Sequence, residues 1–255
     1  MKKNYISIII PYHRKKKYFQ ETIKSIYQQT FKSFEVIVIY DDSSKKELKF
    51  VINLISKLKD KKLIINSQNM GAGLSRNKGL SYARGEYIAF CDADDIWDKN
   101  KLKFQLRFMK KNKIFFSYSS YKIIDENGEE ISSFKAPNKI RNKDLLKRCD
   151  IALSSVMCTK KILKKLKFLD TKTKEDYYLW LNIIKKTIFF HGINRSLISW
   201  RNSNNSLSSA KIQGIFDVFK VYQIYSKSLF VIPFFYTIRI IINTIIKKIK
   251  LFKVY

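Results

Sequence analysis

Short apolar runs alternate with helical patterns over the N-terminal part of the chain, and this alternation limits the fold more than any other feature. The runs are Tyr5 to Ile10, Phe34 to Tyr40, Leu63 to Ile65 and Glu86 to Cys91. Short, β-branched runs of this kind are typical of parallel strands that are buried on both faces. Strand–helix alternation predicts βαβ units, and hence an α/β fold with a mostly parallel central sheet flanked by helices.

The composition is that of a globular protein in a reducing environment. The chain has 255 residues, 45% of them hydrophobic, with only 7 Gly and 3 Pro, so it can bury a large core. Its cysteines, Cys91, Cys149 and Cys158, are odd in number and show no CxxC spacing, which argues against disulfides and zinc. The N-terminus lacks the long apolar segment of a signal peptide, so a cytoplasmic location is expected.

The chain is strongly basic, with 51 Lys and Arg against 21 acids and a formal charge of +30. Such an excess indicates an anionic partner, which could be nucleic acid, anionic lipid or a phosphorylated substrate. An AT-rich genome that favours Lys codons would also produce it. Aromatic residues lie in apolar runs rather than between lysines, so no specific nucleic-acid partner is expected.

Polar clusters follow three of the predicted strands. They are Pro11-Tyr12-His13-Arg14, Asp41-Asp42 and Asp92-Ala93-Asp94-Asp95. Ligands of open parallel sheets bind outside the carboxyl ends of the strands, so these clusters should share one rim. Carboxylates this close repel one another unless a cation lies among them, and Mg²⁺ or Mn²⁺ takes carboxylate and phosphate oxygens. The rim therefore predicts a metal–diphosphate site, the alternative being an acidic turn in which Asp95 caps the next helix.

The second half of the chain has a less regular pattern. Ile114 to Ile124 predicts a strand, with a hairpin turn at Asp125 to Gly128. Ser154 to Thr159 and Leu197 to Trp200 predict two further strands. Between them, Glu175-Asp176 precedes a helical pattern, where acids are also favoured simply by the helix dipole.

The order and spacing of these segments resemble glycosyltransferase family 2 from about Tyr5 to Trp200. The matching segments are Ile8 to Tyr12, Gln28-Gln29-Thr30, Val38 to Ser44, Asn69 to Gly79, Ala83 to Ile88, and Asp92 to Asp95. The resemblance implies a GT-A fold, a nucleotide-sugar donor, a divalent metal (Mn or Mg) and sugar transfer with inversion at the anomeric carbon.

The resemblance also implies roles for residues that bind the donor. Asp42 matches the position that hydrogen-bonds the uracil edge, and Asp41 lies beside it on the nucleoside. Pro11, followed by Tyr12, matches the loop that lies against the base. Arg76 matches a family position near the nucleotide.

The remaining matched positions concern the metal and the reaction. Asp94 corresponds to the direct metal ligand, and Asp92 to the carboxylate near the ribose and the metal's waters. Asp176 matches the carboxylate that deprotonates the acceptor hydroxyl, a role that suits a carboxyl whose pKa is raised by burial.

Two positions depart from the family pattern. His13 stands where many members have Asn. Arg201-Asn202-Ser203 stands where many members have Arg-x-His, whose His completes the metal shell. Arg201 is still expected to help bind the diphosphate, with a surface charge as the alternative.

The expected organisation is a catalytic domain at residues 1–207 and a basic helical tail at 208–255. Within the catalytic domain, residues 1–112 are expected to bind the nucleotide sugar and 113–207 the acceptor. The tail is apolar, but Pro233 and Arg239 interrupt it, so an interfacial helix on an anionic membrane is expected rather than a spanning one. The alternative is a helix packed on the catalytic domain or on the partner in a homodimer.

Together these features predict an inverting, metal-dependent glycosyltransferase that is peripheral on the cytoplasmic face of the membrane. Its donor is expected to be a UDP-sugar and its acceptor a hydroxyl of a glycan or lipid-linked glycan. One alternative is a nucleic-acid-binding basic protein without catalysis. Another is a sugar-phosphate nucleotidyltransferase, which usually needs a Gly-rich loop after the first strand, and Pro11 to Lys17 contains no Gly.

Overall fold

The computed structural model describes residues 2–202 and 211–252. The strands are β1 (Lys2–Tyr12), β2 (Phe34–Tyr40), β3 (Lys61–Ile65), β4 (Gly85–Phe90), β5 (Ile96–Trp97), β6 (Phe116–Ile124), β7 (Glu130–Phe134), β8 (Lys139–Ile140), β9 (Met157–Thr159) and β10 (Phe190–Arg201). The helices are α1 (Lys16–Tyr27), α2 (Lys45–Ile55), α3 (Ala72–Tyr82), α4 (Lys101–Lys111), α5 (Asn142–Leu145), α6 (Glu175–Ile184), α7 (Lys211–Ser226) and α8 (Val231–Phe252).

These strands belong to one sheet, in the order β3-β2-β1-β4-β9-β6-β10-β5, with β7 beside β6 and β8 beside β10. The first four strands are mutually parallel. The short strand β9 runs antiparallel between β4 and β6, and β6 pairs in parallel with β10. The predicted α/β fold with a helix-flanked, largely parallel sheet is confirmed.

Alternate residues of the central strands supply two apolar cores, one on each face of the sheet. Ile9 and Ile39 belong to the core that also contains Trp180 of α6. Their neighbours Ile8 and Val38 belong to the other core, beneath α1, α2 and α4. Because successive side chains of a strand point to opposite faces, a continuous apolar run fills both cores. This burial explains why the strands read as uninterrupted apolar segments.

The acidic turn after β4 does not open a helix, so the expectation that Asp95 caps one is wrong. The helix α4 begins at Lys101, with Asn100 at its N-cap position. Asp95 instead accepts a hydrogen bond from the backbone N–H of Arg201 at 2.9 Å. The intervening Ile96–Trp97 pairs with β10 as the short antiparallel strand β5.

The second half differs from prediction in the length of its strands. The strand predicted from Ser154 is a 3-10 turn at Leu153–Ser155 followed by the three-residue β9. The last strand, predicted at Leu197 to Trp200, is the twelve-residue β10.

The two C-terminal helices differ in how they contact the rest of the molecule. The α7 residues Val218, Val221 and Tyr222 are buried in the same core as Trp180. In contrast, α8 exposes much of its apolar surface, including Phe235. No helix among the described residues is long and apolar enough to span a membrane. The predicted domain boundary at 207/208 lies outside the described residues.

Candidate active site

Asp41, at the C-terminal end of β2, is a buried carboxylate that holds the loop before α3. Its Oδ1 accepts hydrogen bonds from Asn66 Nδ2 at 2.7 Å and from the backbone N–H of Met70 at 2.8 Å. Its Oδ2 accepts from the backbone N–H of Gly71 at 2.8 Å. Both oxygens are therefore engaged by protein donors, and Asp41 positions the loop that faces the end of β2.

The neighbouring Asp42 carries a buried oxygen that still lacks a hydrogen-bond donor. Its side chain is 4% exposed, and its Oδ1 accepts from the backbone N–H of Ser44 at 3.1 Å. No hydrogen bond reaches Oδ2, although His13 Nδ1 and Arg14 Nε each lie 3.8 Å away. Buried acceptors are normally paired, so this oxygen is suited to accept an N–H from a bound ligand.

Two residues of β1, Tyr12 and Pro11, were predicted to contact the nucleotide-sugar donor, and they differ in burial. Tyr12 is buried, stacks on Tyr40 at a ring-centroid distance of 5.6 Å, and donates a hydrogen bond to Glu47 Oε2 at 2.6 Å. Pro11 is partly exposed. Tyr12 therefore supports the rim from below, while Pro11 remains accessible at its edge.

The turn after β4 presents carboxylates at different depths. Asp95 is buried, and burial followed by the nearby Asp94 raises its pKa well above the usual range. Asp94 is largely buried, with 12% of its side chain exposed, and its Oδ2 lies 2.7 Å from the ammonium of Lys15. Burial raises the pKa of Asp94, and the Lys15 ammonium opposes that rise. Asp92, whose side chain is 31% exposed, is the most accessible of the three.

Arg76, from α3, joins this turn to the start of α6. One guanidinium nitrogen donates to Asp92 Oδ1 at 2.6 Å and another to Glu175 Oε1 at 2.5 Å. The guanidinium also lies 5.5 Å from the ring centroid of Phe168. Because Arg76 is buried, this bridge fixes the spacing between the acidic turn and the Glu175-Asp176 pair.

Of the two acids at the start of α6, Asp176 has the properties of a base. Glu175 is engaged by Arg76, as described above. Burial, reinforced by the charge of Glu175 and opposed by Lys174 and Arg76, raises the pKa of Asp176 to about 6. The backbone N–H of Tyr177 donates to Asp176 Oδ1 at 2.7 Å and orients the carboxylate. A carboxyl with a pKa near neutrality is well matched to taking a proton at pH 7.

Arg201, predicted to contact the diphosphate, is fully buried beneath the acidic turn. Its Nε donates to the carbonyl of Asp94 at 3.0 Å, and a terminal nitrogen donates to the carbonyl of Asp125 at 3.0 Å. The other terminal nitrogen donates to Glu21 Oε2 at 2.6 Å. These contacts exclude the surface-charge alternative and show a residue that supports the backbone of the acidic turn. Ser203, where many relatives carry His, lies outside the described residues.

Lys15 is the functional candidate that sequence reasoning missed. It belongs to the basic run Arg14 to Lys17, which begins two residues after the end of β1. A basic run at the carboxyl end of a strand lies on the same rim as the acidic turn. The position of this run after a strand could have identified Lys15 as a candidate, but lysine is so abundant throughout the chain that the run does not stand out.

The residues of the acidic turn fit a hard divalent cation that is shared with a substrate. Among residues 2–202 and 211–252, no three His, Cys, Asp or Glu side chains converge into a complete metal site. Mg²⁺ and Mn²⁺ sites that also use substrate phosphates need only one or two carboxylates. Asp94 Oδ2 already attracts the ammonium of Lys15, so its position accepts a positive charge.

The fold and this rim define an enzyme of GT-A architecture, and solved structures agree. The structure of S. aureus TarS 1–349 in complex with UDP-GlcNAc matches with a TM-score of 0.73 at 21% identity. That match covers 87% of this chain and 65% of the TarS chain, and at this identity it shows the fold alone.

Sequence comparisons identify the family. The family model described as glycosyl transferase family 2 matches residues 7–168, more than half of the chain. Escherichia coli WfgD, a UDP-Glc:α-D-GlcNAc-diphosphoundecaprenol β-1,3-glucosyltransferase, is 39% identical over 82% of this chain and 81% of its own. Bacillus subtilis TuaG, a putative teichuronic acid biosynthesis glycosyltransferase, is 31% identical over 81% of this chain and 82% of its own. The chain belongs to glycosyltransferase family 2, and it is a glycosyltransferase.

Proposed function

We propose that the protein is an inverting glycosyltransferase that moves a sugar from a UDP-sugar to a hydroxyl of a lipid-diphosphate-linked glycan. The observation that carries this proposal is the Arg76 bridge, which holds the donor-side Asp92 and the Glu175-Asp176 pair on one rigid frame. The Asp42 oxygen that lacks a hydrogen-bond donor supports a uracil base, whose ring N–H it would accept. The activity for which WfgD is named supports both the UDP donor and the lipid-diphosphate acceptor.

In the proposed reaction, Asp176 is the general base. Its carboxylate takes the proton of the acceptor hydroxyl while that oxygen forms a bond to the anomeric carbon. The bond from the anomeric carbon to the diphosphate oxygen breaks, and UDP leaves with the electron pair. Attack from the face opposite the leaving group inverts the anomeric configuration, by the same logic as in inverting glycosidases. A positioned base of matched pKa contributes roughly 10²–10⁴-fold to such a step.

Asp94 and Asp92 are the residues that would hold a divalent metal. When bound, Mn²⁺ or Mg²⁺ would offset the negative charge that develops on the leaving diphosphate. Arg201 holds the backbone of this turn in place through the Asp94 carbonyl. Asp95, which accepts from the Arg201 N–H, adds a second link between the same turn and Arg201.

The C-terminal helices support peripheral attachment to a membrane. Apolar side chains on α8 and on the segment before it are exposed, among them Leu229, Phe230 and Phe235. The segment from Val231 to Phe252 contains four Lys and Arg and no acid. Basic residues beside an exposed apolar surface favour an anionic leaflet, at about 1 kcal/mol for each cation near the surface. A lipid-linked acceptor would be found at that surface.

A thermal-shift screen of nucleotides with Mn²⁺ tests the donor site. UDP with Mn²⁺ should stabilise the protein, Asp42→Ala should weaken the response to UDP alone, and Asp94→Ala should remove the additional effect of Mn²⁺. Lys113→Ala, a change of an exposed residue that is not part of the rim, serves as a control. Salt-sensitive binding to random oligonucleotides, without any shift from UDP and Mn²⁺, would instead favour the nucleic-acid alternative.

A further inference from the structure

A cleft of about 340 Å³ lies between α8 and the loop that follows α5, outside the donor rim. It is lined by Lys147, Phe235, Ile238, Arg239, Ile242 and Asn243. This volume falls within the range of pockets that bind small organic ligands. The proposed donor site and the Asp176 base use none of these residues.

The cleft combines an apolar wall with two cations. Phe235, Ile238 and Ile242 recur at spacings of three and four residues, so they share one side of α8. All three are at least one-third exposed. Arg239 lies on the same helix, and Lys147 faces it from the loop. An apolar wall beside two cations is chemically complementary to an amphiphile with an anionic head and a hydrocarbon chain.

Hydrogen bonds hold this loop at a fixed position relative to the proposed base. Tyr177, the residue after Asp176, donates its hydroxyl to the carbonyl of Leu145 at 2.9 Å. Leu145 is two residues before Lys147, a separation of at most about 7 Å along an extended chain. On the other side of Lys147, burial and then the nearby Asp176 carboxylate raise the pKa of the Cys149 thiol. The loop therefore connects the cleft with the Asp176 side of the active site.

The cleft is also anchored on its tail side. Asn243 Nδ2 donates to the carbonyl of Lys147 at 3.3 Å, which joins α8 to the loop. Tyr222 of α7 donates its hydroxyl to the carbonyl of Leu146 at 3.0 Å. Both α7 and α8 are therefore tied to the short stretch Leu146–Lys147.

We propose that this cleft binds the prenyl diphosphate of the acceptor, with the diphosphate between Lys147 and Arg239 and the first isoprene units along Phe235, Ile238 and Ile242. The rest of the chain leaves along the exposed apolar surface of α8 toward the bilayer. The glycan attached to the diphosphate then reaches along the Lys147 loop to Asp176. This inference rests on the proposed function, because it assigns the lipid part of the same acceptor.

Binding of farnesyl diphosphate, measured by calorimetry with UDP at saturation to fill the donor site, tests the cleft directly. Farnesyl diphosphate should bind at least ten-fold more tightly than inorganic diphosphate, which lacks the hydrocarbon chain, or farnesol, which lacks the diphosphate. The double variant Lys147→Glu/Arg239→Glu should weaken this binding at least ten-fold. The control is Lys113→Glu, which makes the same kind of charge reversal beside a different cleft and should leave farnesyl diphosphate binding unaltered.

Two results would overturn the assignment. Equal affinity for farnesyl diphosphate and inorganic diphosphate would show binding by charge alone. Unaltered farnesyl diphosphate binding in the double variant would show that the diphosphate does not lie between Lys147 and Arg239, and reduced binding of that variant to anionic vesicles would then make the cleft a membrane contact.

Kinetics separate this inference from the proposed function. The double variant should raise the KM for a prenyl-diphosphate-linked sugar acceptor at least ten-fold, while kcat at saturating acceptor changes less than two-fold. An equal fall in kcat without a change in KM would contradict a binding role. If the unmodified protein binds farnesyl diphosphate but transfers no sugar, the proposed function fails, and the cleft is then a prenyl-diphosphate site that serves no transfer.

Discussion

Asp176 is a residue whose ionisation should be visible in the rate of transfer. Because burial raises its pKa to about 6, it is deprotonated and able to accept a proton above that pH. The rate should therefore be level above about pH 7 and fall as the pH drops through 6, by about tenfold per unit well below it. A profile of kcat from pH 5 to 8, at saturating donor and acceptor, measures this. A rate that rises as the pH falls would rule out Asp176 as the base.

Substitution of the two neighbouring acids distinguishes the base from its support. Asp176→Asn should lower kcat by about 10²–10⁴-fold and leave the affinity for UDP intact, because it removes only the proton acceptor. Glu175→Gln should lower thermal stability instead, since it leaves the buried Arg76 without one of its charge partners. Turnover and melting temperature of both variants are the measurements. Full turnover in Asp176→Asn would contradict the assignment.

Lys15 should compete with a metal ion for Asp94. Its ammonium lies 2.7 Å from Asp94 Oδ2, so a cation that binds there must displace it. We expect Lys15→Met to tighten Mn²⁺ binding several-fold in the absence of nucleotide, as followed by electron paramagnetic resonance. The variant Lys16→Met, a change of the next residue in the same basic run, is the control. Weaker Mn²⁺ binding in Lys15→Met would show that Lys15 does not oppose the metal.

At the scale of single residues, the sequence predicted which types of side chain lie at the rim better than it predicted the contacts that each of them makes. Asp42 and Asp94 follow the C-terminal ends of β2 and β4, as the strand pattern predicted, and their roles stay predictions. Asp41 is engaged by the backbone N–H groups of Met70 and Gly71, and no pattern of side chains reveals which backbone groups will point at a carboxylate. Arg201 was expected at the diphosphate, but its partners come from three distant segments that meet only in the folded chain.

The close approach of α3 to α6 depends on Gly73. A Cβ at this position would lie 2.6 Å from the carbonyl oxygen of Leu169 and 3.1 Å from Glu175 Cβ. The backbone must shift to accept it, so Gly73→Ala should destabilise the protein by about 1–3 kcal/mol, as overpacking usually does. It should also reduce transfer, since α3 carries Arg76. Urea denaturation and turnover are the measurements.

Gly214 in α7 is the matched control for that substitution. A Cβ there would meet only Thr173 Oγ1 at 3.9 Å, which is an ordinary contact. Alanine is preferred to glycine inside a helix, so Gly214→Ala should raise the free energy of unfolding by about 0.5–1 kcal/mol. If the two substitutions had the same effect on stability, the close approach at Gly73 would not be the cause.

Among the elements, those defined by local patterns were predictable and those defined by pairing were not. The first four strands carry continuous apolar runs and were correctly placed. The strand β5 has two residues, too few for a periodic pattern, and it exists because β10 pairs with it. The register of β9 between β4 and β6 likewise depends on residues far away in sequence.

At the scale of the whole molecule, the exposed apolar surface of the tail should attach the protein to anionic vesicles. Phe235 is 65% exposed on α8, and Phe115 is 50% exposed far from the tail in sequence. We expect Phe235→Ser to lower the fraction that sediments with anionic vesicles, and Phe115→Ser to leave it unaltered. Binding should also weaken with salt, because Lys and Arg of the tail contribute to it. Equal losses in the two variants would argue against attachment through α8.

The position of α7 determines where the chain can be shortened. Its Asp217 is buried and accepts hydrogen bonds from the N–H and hydroxyl of Thr173, both at 2.8 Å, three residues before Asp176. The hydroxyl oxygen of its Tyr222 lies 2.7 Å from that of Tyr177. Truncation at 207, the end of the expected catalytic domain, would therefore expose the core and release the segment that carries the base. A shortened protein for crystallisation should end after Ser226. This removes the exposed apolar surface of α8 and keeps the α7 contacts that support the segment carrying Asp176.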